Sequence, residues 1–220
     1  MILIFDLDDT LYSRGDYVNN GLRNVVNFIK SKNKNLDEKK IFKELKKNYY
    51  NKKLKKTFNH FLKKNNFKSV NLKNCISLFR YGKNKIKPHK GTLKLLKKYR
   101  KNCYLVTDGN KNVQKFKIKE LGIQKYFKRI FITNQFGLKN QKPSLFCFNK
   151  IKEIEKCKYS DMVYIGDNPI KDFVNCNKAG IKTIRIMQGE FKNYINRFPC
   201  DAKYKIKQLK DLNKILRLFR

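Results

Sequence analysis

The sequence has few of the residues that bind soft metals or cross-link small secreted domains. It contains two histidines in 220 residues, and its six cysteines occur without a C-x-x-C pair or a tight cluster: Cys75, Cys103, Cys147, Cys157, Cys176 and Cys200. Structural zinc sites need cysteine and histidine in close spacing, so a zinc module is not expected. We expect reduced thiols, most of them buried.

Long apolar runs are also missing. The run MILIF at the start of the sequence ends at Asp6. It is far shorter than the roughly 20 apolar residues of a membrane span, or than the apolar core of a signal peptide. No segment that targets or anchors the chain is recognisable, so we expect a cytoplasmic protein without a membrane partner.

Acidic residues are scarce, with 17 Asp and Glu against 54 Lys and Arg, and the formal net charge is +37. Such a balance by itself favours nucleic acid or another anionic partner. Lysine outnumbers arginine 45 to 9, however, and asparagine, isoleucine and phenylalanine are abundant as well. The favoured residues have AT-rich codons, so the base composition of the genome accounts for the charge, and nucleic acid is the less favoured partner.

Five short apolar runs predict buried β-strands at residues 2–5, 103–106, 130–132, 162–165 and 183–186. Between them lie segments of helical periodicity at residues 93–99, 113–121, 145–154 and 170–179. Apolar strands that alternate with helices are typical of a parallel sheet covered on both faces. We therefore predict an α/β fold with a doubly wound parallel sheet, to which the tail from Ala202 adds a short strand and a final helix.

Local signals mark the ends of several predicted helices. Pro169 stands where a first helical turn should begin, and Ser144 follows Pro143 as a candidate N-cap. Gly122 and Gly180 predict helix C-termini, where a left-handed residue often follows the last turn.

Residues 16–83 have a different composition from the rest of the chain. They contain no proline, only two glycines (Gly21 and Gly82), and successive amphipathic runs. This pattern predicts an inserted all-helical domain at 16–83. Residues 1–15 and 84–220 then form the α/β core domain.

Acidic and hydroxyl residues follow the predicted strands: Asp6, Asp8, Thr107, Asp108, Asp167 and Asp172. In open parallel sheets ligands bind beyond the carboxyl ends of the strands, so these side chains should converge on one crevice. Crowded carboxylates repel one another unless a hard cation such as Mg²⁺ lies among them. The pattern therefore predicts a Mg²⁺ site with room for a substrate phosphate, near which Thr107 and Lys142 can bind phosphate oxygens.

Four segments carry a resemblance to a known family. ILIFDLDDT, CYLVTDGN, the segment Lys142-Pro143-Ser144 and IGDNPIKDFVNCNKAG occur in this order. They resemble the four motifs of the haloacid dehalogenase (HAD) superfamily. The resemblance extends over essentially the whole chain, including the place of a helical cap domain after the first strand, although the cap has no matching signature. It implies an HAD-like core and the phosphatase branch of the family.

The resemblance also implies roles for the first pair of aspartates. Asp6 is similar to the family nucleophile, which forms a phosphoaspartyl intermediate and binds the metal. Asp8 is similar to the general acid that protonates the leaving group and then activates water, while its backbone carbonyl binds Mg²⁺. Members that dehalogenate 2-haloacids lack a carboxylate at this place, so Asp8 favours phosphate-ester hydrolysis.

The other motifs imply a phosphate-binding set and a metal ligand. Thr107 and the backbone of Asp108 and Gly109 are expected to position the phosphoryl group, and Lys142 to neutralise its charge. Asp167 is expected to bind Mg²⁺. Asp172 is expected to act from outside the ligand set, by orienting Lys142 or a metal-bound water.

The function predicted in this way is Mg²⁺-dependent hydrolysis of a small phosphate monoester, either a nucleoside monophosphate or a sugar phosphate. Cap side chains and the loop around Leu11 to Tyr17 are expected to set the choice of substrate, with Tyr12 and Arg14 of that loop contacting it. Two alternatives stay open: a sugar phosphomutase or phosphotransferase on the same fold, and a basic nucleic-acid-binding protein with a vestigial site. The sequence leaves the physiological substrate and the oligomeric state open.

Overall fold

The computed structural model describes residues 1–51, 53–54 and 56–219. Lys52, Lys55 and Arg220, which fall within the segments predicted as 16–83 and 84–220, lie outside the described residues. The chain divides into two compact units. One comprises Met1–Arg14 with Ile86–Arg220, and the other comprises Gly15–Lys85.

The smaller unit is built from helices α1 (Arg14–Lys32), α2 (Glu38–Tyr50), α3 (Thr57–Lys64) and α4 (Leu72–Tyr81). Asp37 caps α2 by accepting hydrogen bonds from two backbone N–H groups, and Asn71 caps α4 in the same way. Gly21 allows α1 to approach α4 closely, because a Cβ at this position would lie 2.6 Å from the carbonyl oxygen of Phe79. The helical periodicity of this segment therefore predicted its secondary structure correctly.

The larger unit contains a six-stranded sheet whose pairings are all parallel: β1 (Ile2–Phe5), β2 (Cys103–Thr107), β3 (Arg129–Ile132), β4 (Met162–Gly166), β5 (Lys182–Ile186) and β6 (Tyr204–Ile206). The strand order is β3-β2-β1-β4-β5-β6. The predicted α/β fold with a doubly wound parallel sheet is confirmed, including the short strand in the tail.

Both faces of the sheet are buried. Ile2 and Ile4 pack with residues of β2 and β4 into one apolar cluster, which also holds Phe148 and Ile151. Residues alternate between the two faces of a strand, so Leu3 points to the opposite face, and it is fully buried too. This two-sided burial explains why the strands are continuous apolar runs in the sequence.

The helices of the larger unit are α5 (Thr92–Lys98), α6 (Lys111–Glu120), α7 (Phe146–Glu155), α8 (Val174–Lys178) and α9 (Leu212–Arg217). Gly122 and Gly180 follow α6 and α8 with φ values of +64° and +85°. After each glycine the next N–H bonds back to a carbonyl in the last helical turn, which is the Schellman arrangement. Both predicted C-termini are confirmed.

The predicted helix start at Pro169 is wrong, because α8 begins at Val174. Residues 168–172 instead form a turn in which the carbonyl of Asn168 accepts hydrogen bonds from the N–H groups of Lys171 and Asp172. The Asn168 carboxamide oxygen accepts the N–H of Ile170, and the Asp172 carboxylate accepts the N–H of Asn168. These side-chain bonds compete with a regular helix, and they turn Asp172 toward the interior.

A buried ion pair joins β5 to the segment before β6. Arg185 is fully buried, and its Nη1 lies 2.9 Å from Oδ2 of Asp201. The same guanidinium donates to the backbone carbonyls of Asp167, Phe191 and Tyr194. Among the described residues, no helix is long and apolar enough to cross a membrane.

We predict that Asp201→Asn lowers the free energy of unfolding by about 3–5 kcal/mol, because it leaves a buried guanidinium without its counter-charge. Urea denaturation followed by circular dichroism measures the change. Lys128→Ala is the matched control, since it breaks the half-exposed pair with Glu155, and it should cost at most about 1 kcal/mol. Equal losses in the two variants would contradict the prediction.

Candidate active site

The strand ends bring the predicted residues into one cleft of about 530 Å³. β1 lies between β2 and β4, with Phe5 opposite Leu105 on one side and Ile165 on the other. The residues that follow these positions therefore meet at the carboxyl edge of the sheet. The cleft is lined by the predicted residues Asp6, Asp8, Thr107, Asp108, Gly109, Lys142 and Asp167.

Lys142 lies at the centre of the acidic group. Its Nζ is 2.7 Å from Oδ1 of Asp6 and 2.8 Å from Oδ1 of Asp172, and it is 3.1 Å from the hydroxyl of Tyr164. Burial by itself would lower the pKa of this lysine, but the charges of Asp172 and Asp6 raise it well above its usual value. Lys142 therefore remains a cation inside the protein.

Asp6, Asp167 and Asp172 form a cluster in which one carboxylate oxygen of each lies within 4.8 Å of the others. Burial, together with the neighbouring carboxylates, raises the pKa of Asp6 to about 7 and that of Asp167 to about 9. Among the residues that the structure describes, Lys142 is the basic partner of Asp6, while Asp167 has no ion pair. A hard divalent cation would supply the missing positive charge, so the donor set fits one.

Both carboxylate oxygens of Asp172 accept hydrogen bonds from groups within the protein. Its Oδ1 accepts from Lys142 and from the Tyr164 hydroxyl, and its Oδ2 accepts from the N–H of Asn168. Close packing also requires Gly166, because a Cβ there would lie 2.4 Å from Oδ2 of Asp172. These contacts orient Lys142 and leave Asp6 and Asp167 as the carboxylates that can bind a cation.

Asp8 lies in a separate group of contacts. Its two carboxylate oxygens are 2.8 and 3.1 Å from Nζ of Lys117, and Gln114 Nε2 donates to Oδ2 at 3.0 Å. Tyr12 donates its hydroxyl to Oδ1. Burial would raise the pKa of Asp8, but the charge and hydrogen bonds of Lys117 lower it below its usual value. Asp8 is therefore ionised in the substrate-free cleft.

The segment after β2 is fixed by hydrogen bonds within the protein. Thr107 Oγ1 accepts from Gln114 at 2.7 Å, and Asp108 Oδ1 accepts from the hydroxyl of Thr133 at 2.6 Å and from the N–H of Lys142 at 3.2 Å. The Asp108 side chain thus ties the Lys142 loop to β2. The N–H of Gly109 donates to Asn134 at 3.1 Å, so this part of the predicted phosphate-binding backbone is already engaged.

The loop that follows β5 closes one side of the cleft. Asp9, which has a φ of +55°, accepts the N–H of Arg14 at 2.8 Å and that of Glu190 at 3.4 Å. Gly189 is required there, because a Cβ would lie 2.1 Å from Cγ of Asp9. Arg14 and Glu190 line the cleft and form an ion pair at 3.0 Å.

The predicted substrate contact of Tyr12 is wrong in this structure. The side chain is fully buried, and its hydroxyl is used on Asp8. Arg14, in contrast, lines the cleft and is partly exposed. The difference arises because residues 8–12 form a tight turn, with backbone bonds from Thr10 and Leu11 to the Leu7 carbonyl.

Sequence reasoning missed Gln114, Lys117 and Tyr164. Gln114 and Lys117 are three residues apart on α6 and therefore share one face of the helix. A sequence signal was available, since Gln114 and Lys117 lie on the same helical face as the apolar residues Ile118 and Leu121, where polar residues are unusual. Tyr164 gives no such signal, because it lies inside an apolar strand.

Comparison with known proteins gives one family model, described as haloacid dehalogenase-like hydrolase, which matches residues 3–186. A glyceraldehyde 3-phosphate phosphatase of Methanocaldococcus jannaschii is 28% identical over 228 residues, covering 98% of this chain and 96% of the relative. The pyrimidine 5'-nucleotidase PynA of Streptococcus pneumoniae is 29% identical over 111 residues, 50% of this chain and 46% of its own length.

A solved structure has the same fold. The magnesium-bound HAD-hydrolase YfnB of Bacillus subtilis aligns with a TM-score of 0.70 and 22% identity, covering 97% of each chain. The family match extends from β1 to β5 and includes all the strand-end residues of the cleft. On this evidence the chain belongs to the haloacid dehalogenase-like hydrolases.

Proposed function

We propose that this chain is a phosphatase that hydrolyses a small phosphate monoester through a phosphoaspartyl intermediate on Asp6. The observation that supports the proposal most strongly is the buried Asp6 carboxylate, which lies 2.7 Å from Nζ of Lys142 in a cleft that also holds Asp8. One carboxylate is available to attack phosphorus, and a second, two residues later, to exchange protons.

We propose Mg²⁺ as the cofactor, held by Asp6 and Asp167 with the backbone carbonyl of Asp8. The raised pKa values of the two carboxyl groups support a cation at this place, and the fold relative YfnB binds magnesium. Bound Mg²⁺ supplies positive charge to the substrate phosphate and helps to orient it. Asp172 remains outside the ligand set, because Lys142, Tyr164 and Asn168 already use its oxygens.

The protein groups account for both halves of the reaction. The negative charge of a bound phosphate raises the pKa of the nearby Asp8, so Asp8 takes up a proton as the substrate binds. A carboxylate oxygen of Asp6 attacks phosphorus, the ester P–O bond breaks, and its electron pair stays on the leaving oxygen, which takes that proton from Asp8. Water then attacks the phosphorus of the aspartyl phosphate and gives a proton to Asp8. Inorganic phosphate leaves, and the Asp6 carboxylate is restored. Lys142 and the hydroxyl of Thr107 bind the phosphoryl oxygens as charge develops.

The lining of the cleft favours a hydroxylated leaving group. Val113 and Phe191 are the apolar side chains among the lining residues, and most of the others carry hydrogen-bonding or charged groups. The M. jannaschii relative, named a glyceraldehyde 3-phosphate phosphatase, aligns over nearly the whole chain, whereas the nucleotidase aligns over half of it. We therefore propose a small sugar phosphate, with triose phosphates first, ahead of nucleoside monophosphates.

The two alternatives remain distinguishable from this proposal. A phosphomutase would return the phosphoryl group to a sugar and release little phosphate. A nucleic-acid-binding protein with a vestigial site would bind with a steep dependence on salt and would turn over no ester.

We predict that Asp6→Asn lowers phosphate release by at least about 10³-fold, because the amide cannot form the phosphoenzyme. Phosphate release is measured with Mg²⁺ or EDTA on glyceraldehyde 3-phosphate, glycerol 3-phosphate, a pyrimidine nucleoside monophosphate and p-nitrophenyl phosphate. Wild type should hydrolyse at least one of these esters in Mg²⁺ and none in EDTA.

The control for this substitution is Asp37→Asn. Asp37 is an exposed helix cap, and asparagine caps helices equally well, so activity should be unchanged. An Asp6→Asn variant as active as wild type would refute the phosphoaspartyl mechanism. Isomerisation of a sugar phosphate without phosphate release would favour the mutase.

We predict that Mg²⁺ stabilises the wild type against heat, by about 2.7 kcal/mol at a concentration about 100 times Kd. Asp167→Asn should lose most of this response, and it should be the more stable protein without metal because it removes a carboxyl group whose ionisation is opposed by burial and by the neighbouring carboxylates. Differential scanning fluorimetry with and without Mg²⁺ measures both effects.

The response to Mg²⁺ should also depend on pH. The folded-state pKa values of Asp6 and Asp167 are raised to about 7 and about 9. Without metal these groups therefore reduce stability as the pH rises from the unfolded value toward those values. Mg²⁺ removes that penalty but must displace the protons, so its effect should shrink as the pH falls from about 9 through about 7. An effect independent of pH would show that Mg²⁺ binds elsewhere.

A further inference from the structure

Lys117 is a buried lysine in the wall of the cleft that the motifs do not account for. Its side chain is 7% exposed, and that of Asp8 is 23% exposed. Desolvation of a lysine is costly, and a buried ion pair adds little stability over an apolar pair of similar size. Burial of a charge at the cleft therefore calls for an explanation beyond packing, for which α6 already provides Ile118.

Lys117 and Gln114 act on the same target from one face of α6. Lys117 donates to both oxygens of Asp8, and Gln114 donates to one of them at 3.0 Å. Gln114 also donates to Thr107 Oγ1 at 2.7 Å and to the Asp108 carbonyl at 3.0 Å. The helix therefore fixes the Asp8 carboxyl relative to the end of β2.

The basic partner of Asp8 differs from the one that Asp6 and Asp172 share. Lys142 neutralises Asp6 and Asp172, whereas Lys117 neutralises Asp8. Without Lys117, the Asp8 side chain would lose two of its hydrogen bonds and its counter-charge. It could then rotate away from the position in which it faces a leaving oxygen.

We propose that Lys117 is a positioning residue for the proton-transfer step at the leaving group. It acts through Asp8 and does not touch the substrate. It holds the carboxyl in place through hydrogen bonds to both carboxylate oxygens, at 2.8 and 3.1 Å. The inference rests on the proposed function, because it assumes that Asp8 is the general acid.

Two phosphate esters separate this role from a structural one. p-Nitrophenolate leaves as a stable anion and needs little protonation, whereas the alkoxide of glycerol 3-phosphate needs a proton as the ester bond breaks. The ratio kcat/KM includes steps only up to the first irreversible one, so it reports leaving-group departure and excludes hydrolysis of the phosphoenzyme. A defect in positioning Asp8 must therefore affect the glycerol ester more.

The experiment compares wild type, Lys117→Met, Lys117→Arg and the control Lys115→Met in Mg²⁺. Methionine has a similar length but no charge, and Lys115 is an exposed residue on the same helix. We expect Lys117→Met to lower kcat/KM for glycerol 3-phosphate by about 10²-fold and for p-nitrophenyl phosphate by less than about 3-fold. Lys117→Arg should recover part of the loss, and Lys115→Met should behave as wild type.

Equal losses on both esters, no loss on either, or faster hydrolysis of the glycerol ester would overturn the role of Lys117. If Lys117→Met does not fold, Lys117→Gln tests the same split, because glutamine keeps a polar group at the site. Failure of the proposed function looks different: wild type would hydrolyse neither ester, or Asp6→Asn would stay active, and both proposals would then fall.

Discussion

The ammonium group of Lys142 lies between the carboxylates of Asp6 and Asp172, and the geometry of the cleft depends on it. A parallel sheet directs the ends of its strands to one edge, so Asp6 and Asp167 are crowded together by the fold itself. Two like charges about 4 Å apart repel by roughly 4 kcal/mol at the effective dielectric of a protein surface. Lys142 offsets part of this repulsion, and a cation would offset the rest.

Charge compensation is organised in two separate sets, each with its own lysine. Lys142 pairs with Asp6, a proposed metal ligand, and with Asp172, whereas Lys117 pairs with Asp8, the carboxyl proposed to exchange protons. The separation matters because the two jobs need opposite environments. A metal ligand must stay ionised in contact with the cation, whereas a general acid must face the leaving group and change its protonation state during each turnover.

Shared contacts also support the side of the cleft formed by the loop after β5. Asp9 accepts two backbone N–H groups, and it fits only because Gly189 has no side chain. Arg185 holds the carbonyl of Phe191 and that of Asp167 with one guanidinium. The loop that carries Glu190 and Phe191 is thus tied to the strand end that carries Asp167, so Arg185 supports both the wall of the cleft and the proposed metal ligand.

Much of the fold follows from local patterns in the sequence. Short apolar runs that alternate with helical segments predicted the strands, because a strand that is buried on both faces consists almost entirely of apolar residues. Gly122 and Gly180 predicted helix ends, because glycine has no Cβ and adopts the left-handed conformation there without steric strain. The turn at 168–172 was missed, because Pro169 suits a first helical turn. In the structure the Asp172 carboxylate accepts the N–H of Asn168, and the helix begins only at Val174.

The residues proposed for chemistry also divide into those that the sequence predicts and those whose contacts only the structure shows. The sequence by itself determined the strand-end set, from Asp6 to Asp167, because the order of strands and the carboxyl-edge rule bring these residues together without any knowledge of side-chain contacts. Only the tertiary structure decided the partners: that Tyr12 is buried against Asp8, that Tyr164 supports Lys142, and that Lys117 faces Asp8 across 109 positions of sequence. Such pairings depend on how a helix is rotated against the sheet, and a rotation is set by packing over the whole core.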